Sequence, residues 1–199
     1  MRLGKDRVHV DDQLLGPADK IYLILNKPRG IITTVSDEKG RDTVYSLLAS
    51  DYSWIAPVGR LDQASEGLLL LTNDTEWAAR ITEPASHLEK IYHVQVNVVA
   101  DTHLIESLER GVEIPEGDFL RAKHARLLRA GEKNSWIELV LDQGKNRHIR
   151  RMLDALGIEV LRLIRIAIGP LRLGDLPKGA HRPLRTDEKL NIDRALLVL

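Results

Sequence analysis

The chain has 199 residues, of which 43% are hydrophobic and none is cysteine, and its formal net charge is zero. This length suffices for a hydrophobic core, and the lack of cysteine excludes disulfides, thiolate nucleophiles and cysteine-ligated zinc. Because the N-terminal stretch is charged and no apolar run approaches the roughly 20 residues of a membrane helix, we expect a soluble, cytoplasmic protein without membrane contact.

The zero net charge conceals a separation of charge along the chain. Between Arg121 and Arg172, twelve lysines or arginines accompany only five acidic residues, so this basic segment carries +7 and the rest of the chain −7. Such a segment can attract phosphate groups while distant acidic residues keep the molecule soluble. A solvated charged surface that binds no ligand is the alternative at this point.

In chain order, residues 1–19 form a leader that ends in the turn signal Leu15-Gly16-Pro17, and residues 20–199 form one compact unit. Hydrophobic periodicity predicts the elements of this unit. The predicted strands are Tyr22–Asn26, Gly67–Thr72, Lys90–Val98, Ala122–Leu128, Ser135–Leu141 and Glu159–Leu173, the last with a break at Gly169-Pro170. The predicted helices are Thr75–Thr82, Asp101–Arg110 and Lys145–Leu156. Because strands outnumber helices, we expect an α+β fold with a mixed, mostly antiparallel sheet.

The densest polar segment is the glycine-bounded loop Gly59–Gly67, which leads directly into a buried strand. A loop anchored in this way holds a side chain in place and leaves it reachable. Within it, Arg60 lies close to Asp62 and favours an ionised carboxylate, which is a nucleophile or a base. An aspartate that only caps a turn and pairs with its neighbour explains the same spacing equally well.

Lys90 and Tyr92 share one face of their predicted strand with Val94, Val96 and Val98. Tyr92 therefore points to the apolar side of the sheet, where the floor of a cleft would also lie. On pattern alone, it is either a core tyrosine with a satisfied hydroxyl or a functional residue. Lys90 is a candidate contact for a phosphate or for the aspartate.

The third predicted helix carries an arginine at the border of its apolar stripe. The stripe consists of Ile149, Met152, Leu153 and Leu156. Arg150 lies at its edge, whereas Arg147 and Arg151 lie on the solvent side. Since an unpaired buried charge is costly, Arg150 needs a partner, and Asp62 is the natural candidate. The alternative is a guanidinium that lies over the helix and donates to main-chain carbonyls.

Nothing in the sequence indicates a metal or an organic cofactor, and we expect none. The seven histidines form no H-x-x-x-H pair, and the glycines form neither G-x-G-x-x-G nor a phosphate-binding loop. The three tryptophans, Trp54, Trp77 and Trp136, are dispersed, as is typical of core residues.

Five motifs in order resemble the RsuA-like family of ribosomal RNA pseudouridine synthases. They are Asn26-Lys27-Pro28-Arg29-Gly30, the loop and strand GRLDQASEGLLLLTND from Gly59, Lys90-Ile91-Tyr92-His93-Val94, the basic helix start Gly144 to Leu153, and the closing motifs Leu163 to Gly169 with Gly179 to Leu184. The resemblance covers the chain from about Tyr22 to its end. It implies the pseudouridine synthase fold with a central active-site cleft, and a monomeric isomerase that needs no metal.

The resemblance also implies roles for particular residues. Asp62 would be the nucleophile that lets uracil detach, rotate and rejoin through carbon, Tyr92 the active-site tyrosine, and Arg150 the partner of the aspartate. The residues expected to contact the substrate RNA are Arg60, Lys90, Lys145, Asn146, Arg147, His148 and Arg151. Phosphates would meet the start of the predicted helix.

The expected partner is ribosomal RNA, with the large subunit favoured. Transfer RNA as substrate, and a non-catalytic RNA-binding or ribosome-assembly factor, are the alternatives. The leader resembles the closing strands of an additional N-terminal RNA-binding domain that many relatives carry, so we expect that domain to be either truncated or lacking here.

Overall fold

A computed structural model describes residues 9–10, 13–14, 19–34, 37–48, 52 and 54–197. The predicted leader lies outside the described residues, apart from Asp19 and a short antiparallel pair in which His9–Val10 meets Gln13–Leu14. None of the helices within the described ranges is long and apolar enough to cross a membrane.

The described chain contains many short strands and few helices. The strands are β1 (His9–Val10), β2 (Gln13–Leu14), β3 (Tyr22–Lys27), β4 (Ala56–Val58), β5 (Glu66–Thr72), β6 (Lys90–Val96), β7 (Val112–Glu113), β8 (Phe119–Leu120), β9 (His124–Ala130), β10 (Ser135–Leu141), β11 (Val160–Ile168), β12 (Leu171–Arg172) and β13 (His181–Pro183). The helices are α1 (Thr75–Thr82), α2 (Thr102–Arg110), α3 (His148–Asp154) and α4 (Thr186–Ala195), with 3-10 turns at Val44–Leu47 and Pro84–Ser86.

Nine strands form one mixed sheet. Its main order is β13-β3-β5-β11-β6-β10-β9, with β4 paired to β5 and β12 paired to β11. Strands β5 and β11 run parallel, and the other described pairs in this sheet are antiparallel. The predicted α+β fold with a mixed, mostly antiparallel sheet is therefore confirmed.

The hydrophobic side chains gather into three clusters around this sheet. One packs α2 and α3 against β6, β10 and β11, and a second packs α1 and α4 against β3 and β5. The third covers the opposite face of β3 and β5 with the segment between β3 and β4. Every residue of β5 is buried because apolar groups cover both of its faces. Tyr92 packs against the first and the third cluster, which places it at the junction of the two halves.

The structure corrects the predicted start of the basic helix. The sequence predicts a helix from Lys145, but α3 begins at His148, because Arg147 adopts a left-handed backbone conformation with φ 48° and ψ 30°. Residues 145–147 consequently belong to a loop. Strand β13 and helix α4 were not predicted. The start of α4 is nevertheless marked in the sequence by Glu188, whose carboxylate accepts a hydrogen bond from the Arg185 N–H at 2.9 Å.

Candidate active site

A cavity of about 320 Å³ lies where the two halves of the sheet meet. Strands β6 and β11 contribute one side, here called the strand wall, with Lys90, Tyr92, Leu163 and Arg165. The other side, here called the loop wall, combines the Asp62 loop (residues 59–65) with the basic loop (residues 142–147). Eight of the ten predicted site residues line this cavity, and Arg150 and Arg151 do not.

Two side chains from neighbouring segments, those of Lys27 and Thr33, hold the backbone of the Asp62 loop. The Nζ atom of Lys27 donates to the carbonyls of Pro28, Asp62 and Ser65 at 3.1, 3.1 and 2.9 Å. In addition, the hydroxyl of Thr33 donates to a loop carbonyl at 2.9 Å. The position of Asp62 is therefore fixed largely through main-chain atoms rather than through its own carboxylate.

Lys27, which holds the Asp62 loop, was not among the predicted site residues. Its side chain is fully buried. Burial lowers the pKa of Lys27 to about 8, against the opposing effect of the negative charges of Asp62 and Glu66. The Asn-Lys-Pro turn was recognised only as a motif. The sequence does not show that the carbonyls of Asp62 and Ser65 surround Lys27, because only folding brings these distant segments together.

Two arginines lie near the carboxylate of Asp62, which is 32% exposed. Arg147 Nη1 lies 3.8 Å and Arg150 Nε 3.9 Å from Asp62 Oδ2. Arg60, in contrast, is exposed and forms no ion pair or hydrogen bond with Asp62 in the described part of the chain. The flanking arginine of the sequence is thus not the partner; the cations come from the basic loop and from α3.

Arg150 combines both arrangements that the sequence left open. It approaches Asp62, and its Nη2 also donates to the Ala64 carbonyl at 3.1 Å, with Nη1 at 3.5 Å from the Val160 carbonyl. Its side chain is only 15% exposed, and burial lowers the pKa of Arg150, with the charge of Arg147 acting in the same direction. The main-chain bonds orient the guanidinium so that Nε faces the carboxylate.

The strand wall places a tyrosine between two cations. Tyr92 and Arg165 are cross-strand partners in the register of β6 and β11, so their side chains lie side by side on one face. Arg165 is 6% exposed, and its Nε donates to the Leu68 carbonyl at 2.7 Å. Burial, followed by the charge of Arg165, lowers the pKa of Lys90 to about 8. Arg165 was not among the predicted site residues.

The basic loop presents exposed polar groups to the cavity, but the structure separates some of the predicted RNA contacts. Lys145, Asn146 and Arg147 are exposed and line the cavity. His148 is only 6% exposed, and burial lowers its pKa, which favours a neutral imidazole. The helix starts at His148 and turns the ring inward, and the expected contact of His148 with RNA stays a prediction.

Arg151 points away from the cavity toward acidic partners. Its Nη2 lies 3.5 Å from Glu116 Oε2 and 3.4 Å from Asp118 Oδ2. Elsewhere in the basic segment, Arg126 pairs with Glu138 and Arg162 forms two bonds of 3.0 Å with Glu66. Part of the predicted positive charge is thus neutralised locally, whereas Lys145, Arg147 and Arg165 line the cavity.

The described residues contain no group of three or more histidine, aspartate or glutamate side chains arranged to hold a metal ion. The chemistry that the cavity offers is that of a half-exposed carboxylate facing several cations and an aromatic ring. Such a site suits a nucleophilic reaction on an anionic, aromatic substrate.

Comparison with known proteins identifies the group to which this arrangement belongs. A profile described as RNA pseudouridylate synthase matches residues 21–155. An RNA pseudouridine synthase of Aquifex aeolicus is 38% identical over 192 residues, which cover 96% of this chain and 77% of that protein. The ribosomal large subunit pseudouridine synthase B of Bacillus subtilis is 37% identical over 187 residues, covering 93% and 76%.

Solved structures agree with the sequence comparison. A crystal structure of a pseudouridylate synthase superposes with a TM-score of 0.78 at 29% identity, covering 94% of this chain and 80% of that one. The human RNA pseudouridylate synthase domain containing 4 protein, at 17% identity and a TM-score of 0.52, shares the fold. The chain therefore belongs to the RNA pseudouridylate synthase family and is an isomerase that acts on RNA.

Proposed function

We propose that this enzyme isomerises one uridine of ribosomal RNA, in the large subunit, with Asp62 as the nucleophile. The observation that carries the proposal is the meeting of Asp62, Tyr92 and Arg147 at one cavity, with Arg150 beside the carboxylate of Asp62. The substrate class follows the Bacillus subtilis relative, whose name assigns it to the large ribosomal subunit. Because the substrate would be cytoplasmic RNA, we also propose that the enzyme acts in the cytoplasm, as a monomer.

The reaction needs no second reactant. Asp62 attacks the target nucleotide, the bond between the ribose and N1 of uracil breaks, and the ring rotates. A new bond then forms from the ribose to C5, the bond to Asp62 breaks so that its carboxylate is regenerated, and the hydrogen at C5 is released as a proton while N1 gains one. Atoms and electrons balance within the nucleotide, in keeping with an isomerase.

The surroundings of Asp62 support this chemistry. Its carboxylate is partly exposed and has two guanidinium groups within 4 Å. Tyr92 offers a ring on which an everted base stacks. The exposed side chains of Arg60, Lys145, Asn146 and Arg147 would contact the phosphates that flank the everted nucleotide.

The test compares Asp62→Asn with Asp142→Asn, because Asp142 is a second carboxylate that lines the same cavity. Tritium release from RNA labelled at C5 of uridine measures turnover, and filter binding measures RNA affinity. We expect Asp62→Asn to lose at least about 10⁴-fold in rate with little change in affinity, and Asp142→Asn to stay active. Residual modification in Asp62→Asn equal to that of the parent enzyme would overturn the role of Asp62.

The substrate is tested separately with transcripts of large-subunit RNA, small-subunit RNA and transfer RNA. We expect tritium release only with the first. Release only from transfer RNA would move the enzyme to the second substrate class. Tight RNA binding without release from any of the three would support a non-catalytic assembly factor. Mapping pseudouridines in cells that lack the protein would identify the nucleotide.

A further inference from the structure

A buried guanidinium in the strand wall has an atom without a partner. Arg165 Nε is bonded to the Leu68 carbonyl, but its Nη2 is shielded from solvent and makes no hydrogen bond within the described residues. The side chain is 6% exposed and lines the cavity beside Tyr92. A buried charged donor left unpaired is costly, so its presence at this position calls for a ligand.

A second cation lies near Arg165. Lys90 lines the same cavity, and its ammonium makes no hydrogen bond or ion pair in the described part of the chain. The negative charge of Asp142 acts on Lys90 only through space. The carboxylate of Asp62 lies near Arg147 and Arg150 instead. The strand wall therefore carries two positive groups that no carboxylate of the described residues pairs with.

The reaction itself generates an anion at this position. When the bond between the ribose and N1 breaks, its electron pair stays with uracil and spreads over N1, O2 and O4. We propose that Arg165 is a catalytic residue that donates from Nη2 to a carbonyl oxygen of the everted uracil and stabilises the detached, anionic ring. Lys90 adds positive charge beside it. This inference rests on the proposed function.

Position decides between the ring and a phosphate as the ligand of Arg165. Phosphates remain on the RNA backbone, where the exposed basic loop meets them. Arg165 is buried and lies next to Tyr92, where the stacked ring would be held. The Leu68 carbonyl fixes the orientation of the guanidinium before the substrate arrives, so little reorganisation is needed when charge develops.

The test changes how easily the detached ring carries negative charge. RNA in which the target is 5-fluorouridine releases a ring that carries negative charge more easily and therefore needs less help from Arg165. Single-turnover loss of the target nucleoside is measured for Arg165→Met with uridine and with 5-fluorouridine. We expect a loss of about 10³-fold with uridine and only about 10²-fold with 5-fluorouridine.

Arg162→Met is the matched control, because Arg162 lies on the same strand, bonds to Glu66 and is not part of the cavity. Any loss in this variant should be the same for both substrates. If Arg165→Met loses the same factor in rate with uridine and with 5-fluorouridine, Arg165 has only a structural role, and the inference is overturned. If Arg165→Met does not fold, the losses with uridine and with 5-fluorouridine are compared for Arg165→Lys in the same way. An inactive parent enzyme would refute the proposed function instead.

Discussion

The two walls of the cavity are built in different ways. In the strand wall, Tyr92 and Arg165 project from paired strands, and a main-chain carbonyl fixes the guanidinium. In the loop wall, Asp62 and Arg147 project from loops, and their side chains are 32% and 53% exposed. One wall is preorganised by the sheet, whereas the other depends on contacts between loops.

The distances between Asp62 and its two neighbouring arginines indicate that the loop wall can still rearrange. The ion pairs of Asp62 with Arg147 and Arg150, at 3.8 and 3.9 Å, are longer than hydrogen bonds. Such contacts can tighten when substrate enters and water leaves. We infer that the strand wall receives the base, and that the loop wall closes on it and brings the nucleophile to the sugar or ring.

The largest effect is expected where the two walls join. Gly67 of β5 has φ +103° and lies beside Arg165. A Cβ added to Gly67 would come within 2.8 Å of the backbone nitrogen of Arg165. Gly67→Ala should push β5 away from β11 and displace Asp62 from the strand wall. We expect a loss of about 3 kcal/mol in the free energy of unfolding and of at least about 10³-fold in kcat.

Gly144→Ala is the control for this change. Gly144 lies in the basic loop, and no atom lies within 4 Å of an added Cβ. Urea unfolding and tritium release should leave this variant close to the parent. A Gly67→Ala enzyme with normal kcat would show that the junction tolerates strain and that the two walls need not keep a fixed separation.

The next effect concerns the lysine that holds the loop wall. Lys27→Met leaves the carbonyls of Pro28, Asp62 and Ser65 without their donor, at a cost of about 3 kcal/mol in the free energy of unfolding. The loop should then sample more positions, and kcat should fall about 100-fold. Lys39→Met, at an exposed position, serves as the control.

The same substitution predicts a dependence on pH. The folded-state pKa of Lys27 is about 8, below its ordinary value of 10.5. Between these values the unfolded chain binds the proton and the folded chain releases it, so the free energy of unfolding of the parent should rise with pH. Lys27→Met should lack this part of the rise. Parallel curves for the two proteins from pH 8 to 10.5 would contradict the burial of a titrating Lys27.

The sequence predicted some of these features and missed others for physical reasons. Alternation of apolar residues predicted β6 and β10 because the period of side chains along a strand is local. The motif placed Asp62 and Tyr92 at one site. It did not identify the burial of Lys27 or Arg165, because both depend on carbonyls supplied by distant segments. It also placed the helix start too early, since a left-handed Arg147 leaves no clear pattern in the sequence.

A smaller effect should distinguish Arg147 and Arg150, the two arginines near Asp62. Arg150→Lys removes a planar group that donates to the Ala64 carbonyl while facing Asp62. Because a lysine cannot keep both contacts, kcat should fall about 30-fold with little change in RNA affinity. Arg147→Ala removes a more exposed cation, so we expect weaker RNA binding and a salt dependence of affinity reduced by about one phosphate contact.

Titrations at several salt concentrations, with kcat measured separately, check this division. If Arg147→Ala lowers kcat as strongly as Arg150→Lys and leaves the salt dependence unchanged, the two arginines act together on Asp62. The loop wall would then be as preorganised as the strand wall.

The smallest effect is expected on the opposite face of the sheet. Arg126 belongs to the basic segment, but its Nε lies 2.6 Å from Glu138 Oε1, whose cross-strand neighbour is His93 rather than Tyr92. Successive residues of a strand point to opposite faces, so Arg126 faces away from the cavity. Arg126→Ala should keep kcat and RNA affinity within about twofold of the parent, because its charge is paired and distant from the substrate. If Arg126→Ala weakened RNA binding as much as Arg147→Ala, the basic segment would bind RNA over both faces, and the excess of positive charge in the sequence would describe the interface better than the cavity does.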